Sequence, residues 1–375
     1  MSSHAPIPDS LGPDPALLNG GTSIPDVLAP TSRALPAPRP GTTWAPEDPA
    51  AVEEGPLRMR VSRWMQRLHD TLTDFFEDRD GGGRFQEDAW LRPGGGGGVS
   101  RVLTDGQTFE KAGVNRFAGG GAIPSEVATR LGARGLSDGP VEFYATGVSI
   151  VCHPRSPMLP IVHMNVRYFE LEAEDGSRLD YWFGGGIDLT PTHPFPEDAV
   201  HFHRTLKEIC DRHHPEFYDR GKAWCDKYFV NGHRDGEMRG IGGIFFDNLR
   251  GGGDEELSTE DIFAFVRDVG LAMRPAYGPL VERHRDNPWG ARERELQLFR
   301  RGRYVEFNLV HDRGTRFGLQ TNARIESVLM SLPPLARWGY CEEFDEGTFE
   351  HRLHQMLEPH DWVDGVPDHL LLPVR

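Results

Sequence analysis

The chain is poor in the features that anchor metals, membranes and secreted folds. Its four cysteines, Cys152, Cys210, Cys225 and Cys341, lie far apart in sequence. Without a C-x-x-C spacing they exclude a zinc knuckle or an iron–sulfur cluster and read as reduced, buried thiols, as in a cytoplasmic protein. No run of 18 apolar residues is present to form an integral membrane segment. The N-terminus has no secretory apolar core, and Asp9, Asp14 and Asp26 beside only Arg33 and Arg39 argue against a mitochondrial presequence. Positive charge is also in deficit. With 41 Lys and Arg against 57 Asp and Glu, the formal net charge of −16 gives a long-range field of the wrong sign for nucleic acid or an anionic bilayer.

What is present is enough for a sizeable core: 375 residues, 38% hydrophobic and 10% aromatic. Residues 1–55, rich in Pro, Ala and Ser, have no periodicity and read as a disordered tail, leaving 56–375 as one folded domain. Helical spacing predicts helices over 57–76, from Pro196, around 216–229, from Ser258 to Pro275, over 325–332 and over 348–357. Strand patterns fall on 84–90, 99–103, 141–151, 163–169, 179–183, 239–247 and 300–311, with a return over 317–320. Asp105-Gly106 and Asp175-Gly176 suit hairpin turns. Gly94 to Gly98 has no preceding strand and following Lys-Ser/Thr helix, so it reads as a turn rather than a phosphate loop. Gly240, Gly242 and Gly243 are followed by a β-branched and aromatic run, which disfavours a dinucleotide fingerprint.

Two stretches concentrate chemistry. In His163-Met164-Asn165-Val166-Arg167-Tyr168-Phe169-Glu170, strand geometry puts His163, Asn165, Arg167 and Phe169 on one face and Met164, Val166 and Tyr168 on the other. The pattern accommodates either a half-solvated strand or a site. A titratable ring, an amide and a guanidinium in one row could hold a carboxylate and move a proton. Trp182-Phe183-Gly184-Gly185-Gly186-Ile187-Asp188 follows, its glycines allowing close backbone approach. Arg155, Arg167, Arg300, Arg301, Arg303, Arg313, Arg316 and Arg324 flank expected strands and, with Asp188 and Asp312, suggest a pocket for a polyanionic small molecule.

These blocks, with Trp182 to Pro191, Asp198 to Arg204, Arg239 to Asp247 and Arg301 to Leu309, resemble in order the signature blocks of the aerobic coproporphyrinogen-III oxidase family, over about Leu57 to Trp362. The resemblance implies an α+β fold, a large flat antiparallel β-sheet flanked on both faces by α-helices, assembled as a homodimer with an interface including 304–340. It implies oxidation and decarboxylation of two propionates of coproporphyrinogen III to vinyls, with O2 as co-substrate, no organic cofactor, and protoporphyrinogen IX, CO2 and hydrogen peroxide as products. By similarity His163 is the proton donor, Asp188 accepts pyrrole N–H bonds, and Asp312 and Arg313 supply a base or a propionate clamp. Ser149, Asn165, Val166, Arg167, Asn322, Ala323 and Arg324 contact substrate. The resemblance also raises His153, His163, His203 and His233 as ligands of a divalent metal, although their sequence spacing is not a chelating one. Asn322-Ala323 departs from the family's glycine-containing pair, and Tyr181 replaces a second Trp.

Overall fold

The computed structural model describes residues 55–371 except 93–95, 135, 137–139, 174, 253–256 and 321–323. All of the expected N-terminal tail but Gly55 lies outside the described residues, as do Asn322 and Ala323. Helix α1 (Leu57–Asp80) ends at Gly81, whose φ of 86° is left-handed backbone that glycine adopts without strain. The Asp80 carboxylate then accepts the backbone N–H groups of Gly83, Gln107, Thr108 and Phe109 at 2.6 to 3.0 Å. That contact ties the end of the helix to the Asp105-Gly106 turn.

The turn joins the second and third strands of a seven-stranded antiparallel sheet. In spatial order these are β1 (Gln86–Leu91), β2 (Gly97–Thr104), β3 (Phe109–Pro124), β4 (Pro140–Pro154), β5 (Ile161–Glu172) and β6 (Arg178–Thr190), then β9 (Gly242–Leu249). Between β6 and β9 the chain makes a two-stranded ribbon of β7 (Val230–Asn231) and β8 (Glu237–Met238). The helices after α1 are α2 (Ser125–Arg130), α3 (Pro196–Asp211), α4 (Phe217–Tyr228), α5 (Thr259–Leu271), α6 (Met273–His284), α7 (Ala291–Val310), α8 (Arg313–Gln320), α9 (Ile325–Leu329) and α10 (Phe349–Met356).

One face of the sheet is apolar. Val114, Ile150, Met164, Ile187 and Ile244 are cross-strand partners and all fully buried. They share a core with α1 (Val61, Trp64, Leu68, Phe76), α3 (Phe202, Leu206), α5 (Ile262, Phe263, Val266) and α6 (Tyr277, Leu280). Helix α5 starts with a reciprocal cap in which Ser258 Oγ accepts from Asp261 N–H and Asp261 accepts from Ser258 N–H, at 3.2 and 2.9 Å. It ends at Leu271 rather than Pro275, which belongs to the first turn of α6. The second face meets α7, whose Tyr304 packs on Val151 and Ile161, and the α9 region, where Met330 lies over Gly113.

Two expected strands are helices. Residues 300–310 belong to α7, with His311 as its C-cap, and 317–320 belong to α8. The Val305, Phe307, Leu309 alternation misled because α7 is buried around most of its circumference between Leu296 and Asn308, so apolar side chains occur at spacing two as well as three and four. Its arginines are buried by pairing: Arg301 with Glu110 at 2.6 Å, and Arg300 and Arg303 with Glu237. They hold the fold together and do not line a polyanion pocket. The Gly184 to Gly186 run lies in the middle of β6 instead of at its end.

Gly243 faces Asp188 across the β6–β9 pair, and a Cβ there would sit 2.0 Å from the Ile187 carbonyl oxygen. Gly243→Ala should cost about 1–3 kcal/mol, read as a lowered urea midpoint, with a fall in activity because β9 must move away from Asp188.

Candidate active site

Strand register turns the second face into parallel rows of side chains. One row runs Asp88, Ser100, Asn115, Ser149, Asn165, Gly186, Phe245, and its neighbours are Trp90, Gly98, Phe117, Gly147, Arg167, Gly184 and Gly113, Val151, His163, Asp188, Gly243. Burial along β5 alternates as expected, with His163, Asn165, Arg167 and Phe169 half-buried and Met164, Val166 and Tyr168 buried. The glycines remove side-chain bulk between the polar groups, leaving a shallow floor. Asp88 to Asn165 spans four strand spacings, about 19 Å.

The polar groups form one hydrogen-bonded chain. His163 Nδ1–H donates to Asp188 Oδ1 at 2.6 Å, a direct cross-strand pair, and Arg239 donates to Asp188 Oδ2 at 2.5 Å and to Asn308 Oδ1 at 3.0 Å. On the other side Arg167 donates to Asn165 Oδ1 at 2.6 Å and reaches Asp247 at 2.8 Å, while Asn165 Nδ2 lies 3.5 Å from His163 Nε2. Asp188 is only 3% exposed and Arg239 2%. The Arg239 guanidinium is enclosed by the rings of Phe229, Tyr304 and Phe307 at 4.0, 4.6 and 4.9 Å. Burial alone would raise the Asp188 carboxyl, but Arg239 and His163 outweigh it and hold it below its ordinary value. A fixed anion on Nδ1 leaves Nε2 of His163 as the ring atom facing the open row.

Of the expected residues, His163, Asn165, Arg167 and Asp188 thus come together, and Ser149 lies beside Asn165 in register. Val166 points to the opposite face and is fully buried, so only its backbone belongs to the site. Asp188 Oδ1 accepts from His163 and Oδ2 from Arg239, so a pyrrole N–H would share an oxygen that is already engaged. Asp312 caps α8, accepting from Thr315 N–H at 2.7 Å and from the Tyr228 hydroxyl at 3.0 Å. Tyr228 stacks on Phe245 at 4.8 Å, and Phe245 lies 5.6 Å from the Arg167 guanidinium. Asp312 and Arg313 therefore join the site through two rings. Arg324 pairs with Asp88, at the far end of the row, and Arg155 donates to the Gly106 carbonyl.

The four histidines raised as metal ligands are not brought together. His153 is buried with Nε2 2.8 Å from the Ser331 carbonyl, and His203 lies between the Tyr218 hydroxyl and the Ile241 carbonyl at 3.0 and 3.1 Å. Burial lowers both, His203 to about 3. His233 sits against His311 at 2.7 Å, and His163 is held by Asp188. Among the described residues no group of three or more His, Cys, Asp or Glu could hold a metal ion. The residues do not fit a shared metal.

Sequence reasoning missed Arg239, Asp247, Tyr228 and the ring cage. Arg239 and Asp247 bound the glycine block, which the sequence places on a strand and in a signature block without assigning either charged residue a role. A charged residue at each end of a predicted core strand was the available signal.

A family model described as coproporphyrinogen III oxidase matches residues 60–362. The chain is 46% identical over 313 residues to coproporphyrinogen-III oxidase 1, chloroplastic, of Arabidopsis thaliana, covering 82% of this chain and 80% of that protein. It is 51% identical over 290 residues to the mitochondrial oxygen-dependent coproporphyrinogen-III oxidase of Homo sapiens, covering 76% and 62%, and 50% over 287 residues to the oxygen-dependent coproporphyrinogen-III oxidase of Drosophila melanogaster, covering 75% and 72%.

The stabilisation from the Asp188 charge is complete above the ordinary carboxylate value of 3.8 and is lost as pH falls through the lower folded value. Asp188→Asn leaves Arg239 buried beside a neutral amide and should cost about 3 kcal/mol at neutral pH. The deficit against the parent should shrink below about pH 4, measured by urea unfolding at neutral and acid pH.

Proposed function

This chain belongs to the coproporphyrinogen III oxidase family, and from that premise we propose that it is an oxygen-dependent oxidase acting on coproporphyrinogen III in haem biosynthesis. In each of two turns a propionate anion, O2 and a proton give a vinyl group, CO2 and hydrogen peroxide. Two electrons pass to O2, one C–H and one C–C bond break, and one C=C bond forms. The substrate is a macrocycle carrying four carboxylates. A glycine-floored row with a guanidinium near each end, Arg167 and Arg324, suits that shape and charge.

The observation that carries the proposal is the chain Arg239, Asp188, His163, Asn165, Arg167 on that floor. Arg167 holds a propionate beside His163, Ser149 and Asn165 lie along its edge, and Arg324 receives a second propionate. His163 Nε2 passes the proton that peroxide formation consumes. Asp188, held ionised by Arg239, accepts from Nδ1–H and so fixes the orientation and tautomer of the ring, which makes it a positioning residue acting through His163. Asp312 and Arg313 sit behind Tyr228 and close the site at the Phe245 end. O2 is the co-substrate, and an electron-rich pyrrole reacts without an organic cofactor.

The active species is a homodimer of single-domain subunits spanning 56–375. Leu309, Val310, Leu319, Ile325, Leu335, Trp338 and Tyr340 are exposed within 304–340, Tyr340 by 97%, and a second copy would cover them. A cytoplasmic location is consistent with the unpaired Cys152, Cys210, Cys225 and Cys341. No described helix is long and apolar enough to cross a membrane.

Purified protein given coproporphyrinogen III in air should form the divinyl product, followed by fluorescence after chemical oxidation, and should stop under argon. Conversion that continues under argon, or binding without conversion in air, would sink the proposal. His163→Gln should lower kcat by about 10²–10⁴-fold with a smaller change in KM, whereas Arg167→Gln should act chiefly on KM.

A further inference from the structure

Both arginines that would take substrate carboxylates are already occupied by carboxylates of the protein. Arg167 is paired with Asp247 at 2.8 Å and Arg324 with Asp88. These two pairs differ from the other arginine pairs near the site. Arg239–Asp188, Arg300–Glu237 and Arg301–Glu110 are almost wholly enclosed. The side chains of Arg167 and Asp247 remain 38% and 28% exposed, and those of Arg324 and Asp88 33% and 49%. An open, solvent-screened pair of this kind contributes little to stability, so an incoming carboxylate that binds the guanidinium with two hydrogen bonds can displace the partner.

The backbone is shaped for the Asp247 contact. The β6–β9 register shifts between Phe183 and Gly185, placing Asp247 and Asn248 in an irregularity where Asn248 takes φ of 54°. The Asp247 side chain is thereby presented over β6 to Arg167. Gly184 lies beneath the pair: a Cβ there would be 2.5 Å from Asp247 Oδ1 and 2.7 Å from Arg167 Nε.

Resting on the proposed function, we infer that Asp247 is a stand-in carboxylate that holds Arg167 until a substrate propionate displaces it and takes the arginine back when that propionate leaves as CO2, with Asp88 doing the same for Arg324. The exchange keeps a buried-edge guanidinium from being left without an anion at either stage. It also sets selectivity. A substrate must place a propionate at Arg167 that outcompetes Asp247, and the vinyl group that decarboxylation leaves at that position cannot compete.

The test uses the full chain and coproporphyrin III, the non-reacting aromatic tetracarboxylate, with binding read by fluorescence. Asp247→Asn should tighten binding about two- to fivefold and lower KM for coproporphyrinogen III without raising kcat. The gain should vanish in Arg167→Gln/Asp247→Asn. Asp88→Asn, on a solvent-facing edge strand, should give the same sign through Arg324 and decides the matter if Asp247→Asn does not fold. Unchanged or weaker binding in the folded variants, or a gain that survives loss of Arg167, would overturn the inference. If the parent protein itself neither binds nor converts the tetracarboxylate, the proposed function fails instead.

Discussion

Everything at the site depends on a charged carboxylate kept inside a β-sheet. Asp188 is nearly inaccessible, and an unpaired ion there would be neutralised rather than tolerated. Arg239 prevents this from one side and His163 uses it from the other. The rings of Phe229, Tyr304 and Phe307 strengthen the arrangement by excluding water from the guanidinium while offering it their negative faces. One residue therefore links packing, electrostatics and the orientation of the imidazole.

The two faces of the sheet divide the work. The face against α1, α3, α5 and α6 is a continuous apolar core whose rigidity fixes strand register. Register in turn decides that His163 meets Asp188 and that Ser149 meets Asn165. On the opposite face, glycines take the places where side chains would fill the floor, and aromatic rings from α4, β9 and α7 close one end. Strength on one side allows emptiness on the other.

Much of this was legible from residues alone. The period-2 pattern of β5 placed His163, Asn165 and Arg167 together, and the order of signature blocks pointed to the family. The hairpin turns and the caps of α5 followed from local chemistry. What was not legible was long-range. The arginines of α7 looked like binding residues because pairing with Glu110 and Glu237, far away in sequence, is invisible in a local window. The same burial gave the helix a false strand period. Asp188 looked free to meet a ligand because Arg239, its main counter-charge, lies 51 residues away. The aromatic cage draws on α7 and on the residue after α4, and no local pattern announces such a convergence.

The cage also orders events during synthesis. Strands β1 to β6 are complete once residue 190 has emerged, so the apolar face can begin to pack on α1 while Asp188 still lacks its guanidinium. Arg239 arrives later, and Tyr304 and Phe307 later still. Until then the carboxylate lacks its buried counter-charge and β6 is an open sheet edge. The nascent chain thus acquires its scaffold well before its chemistry, and the last third of the polypeptide completes a site whose central residues were made long before.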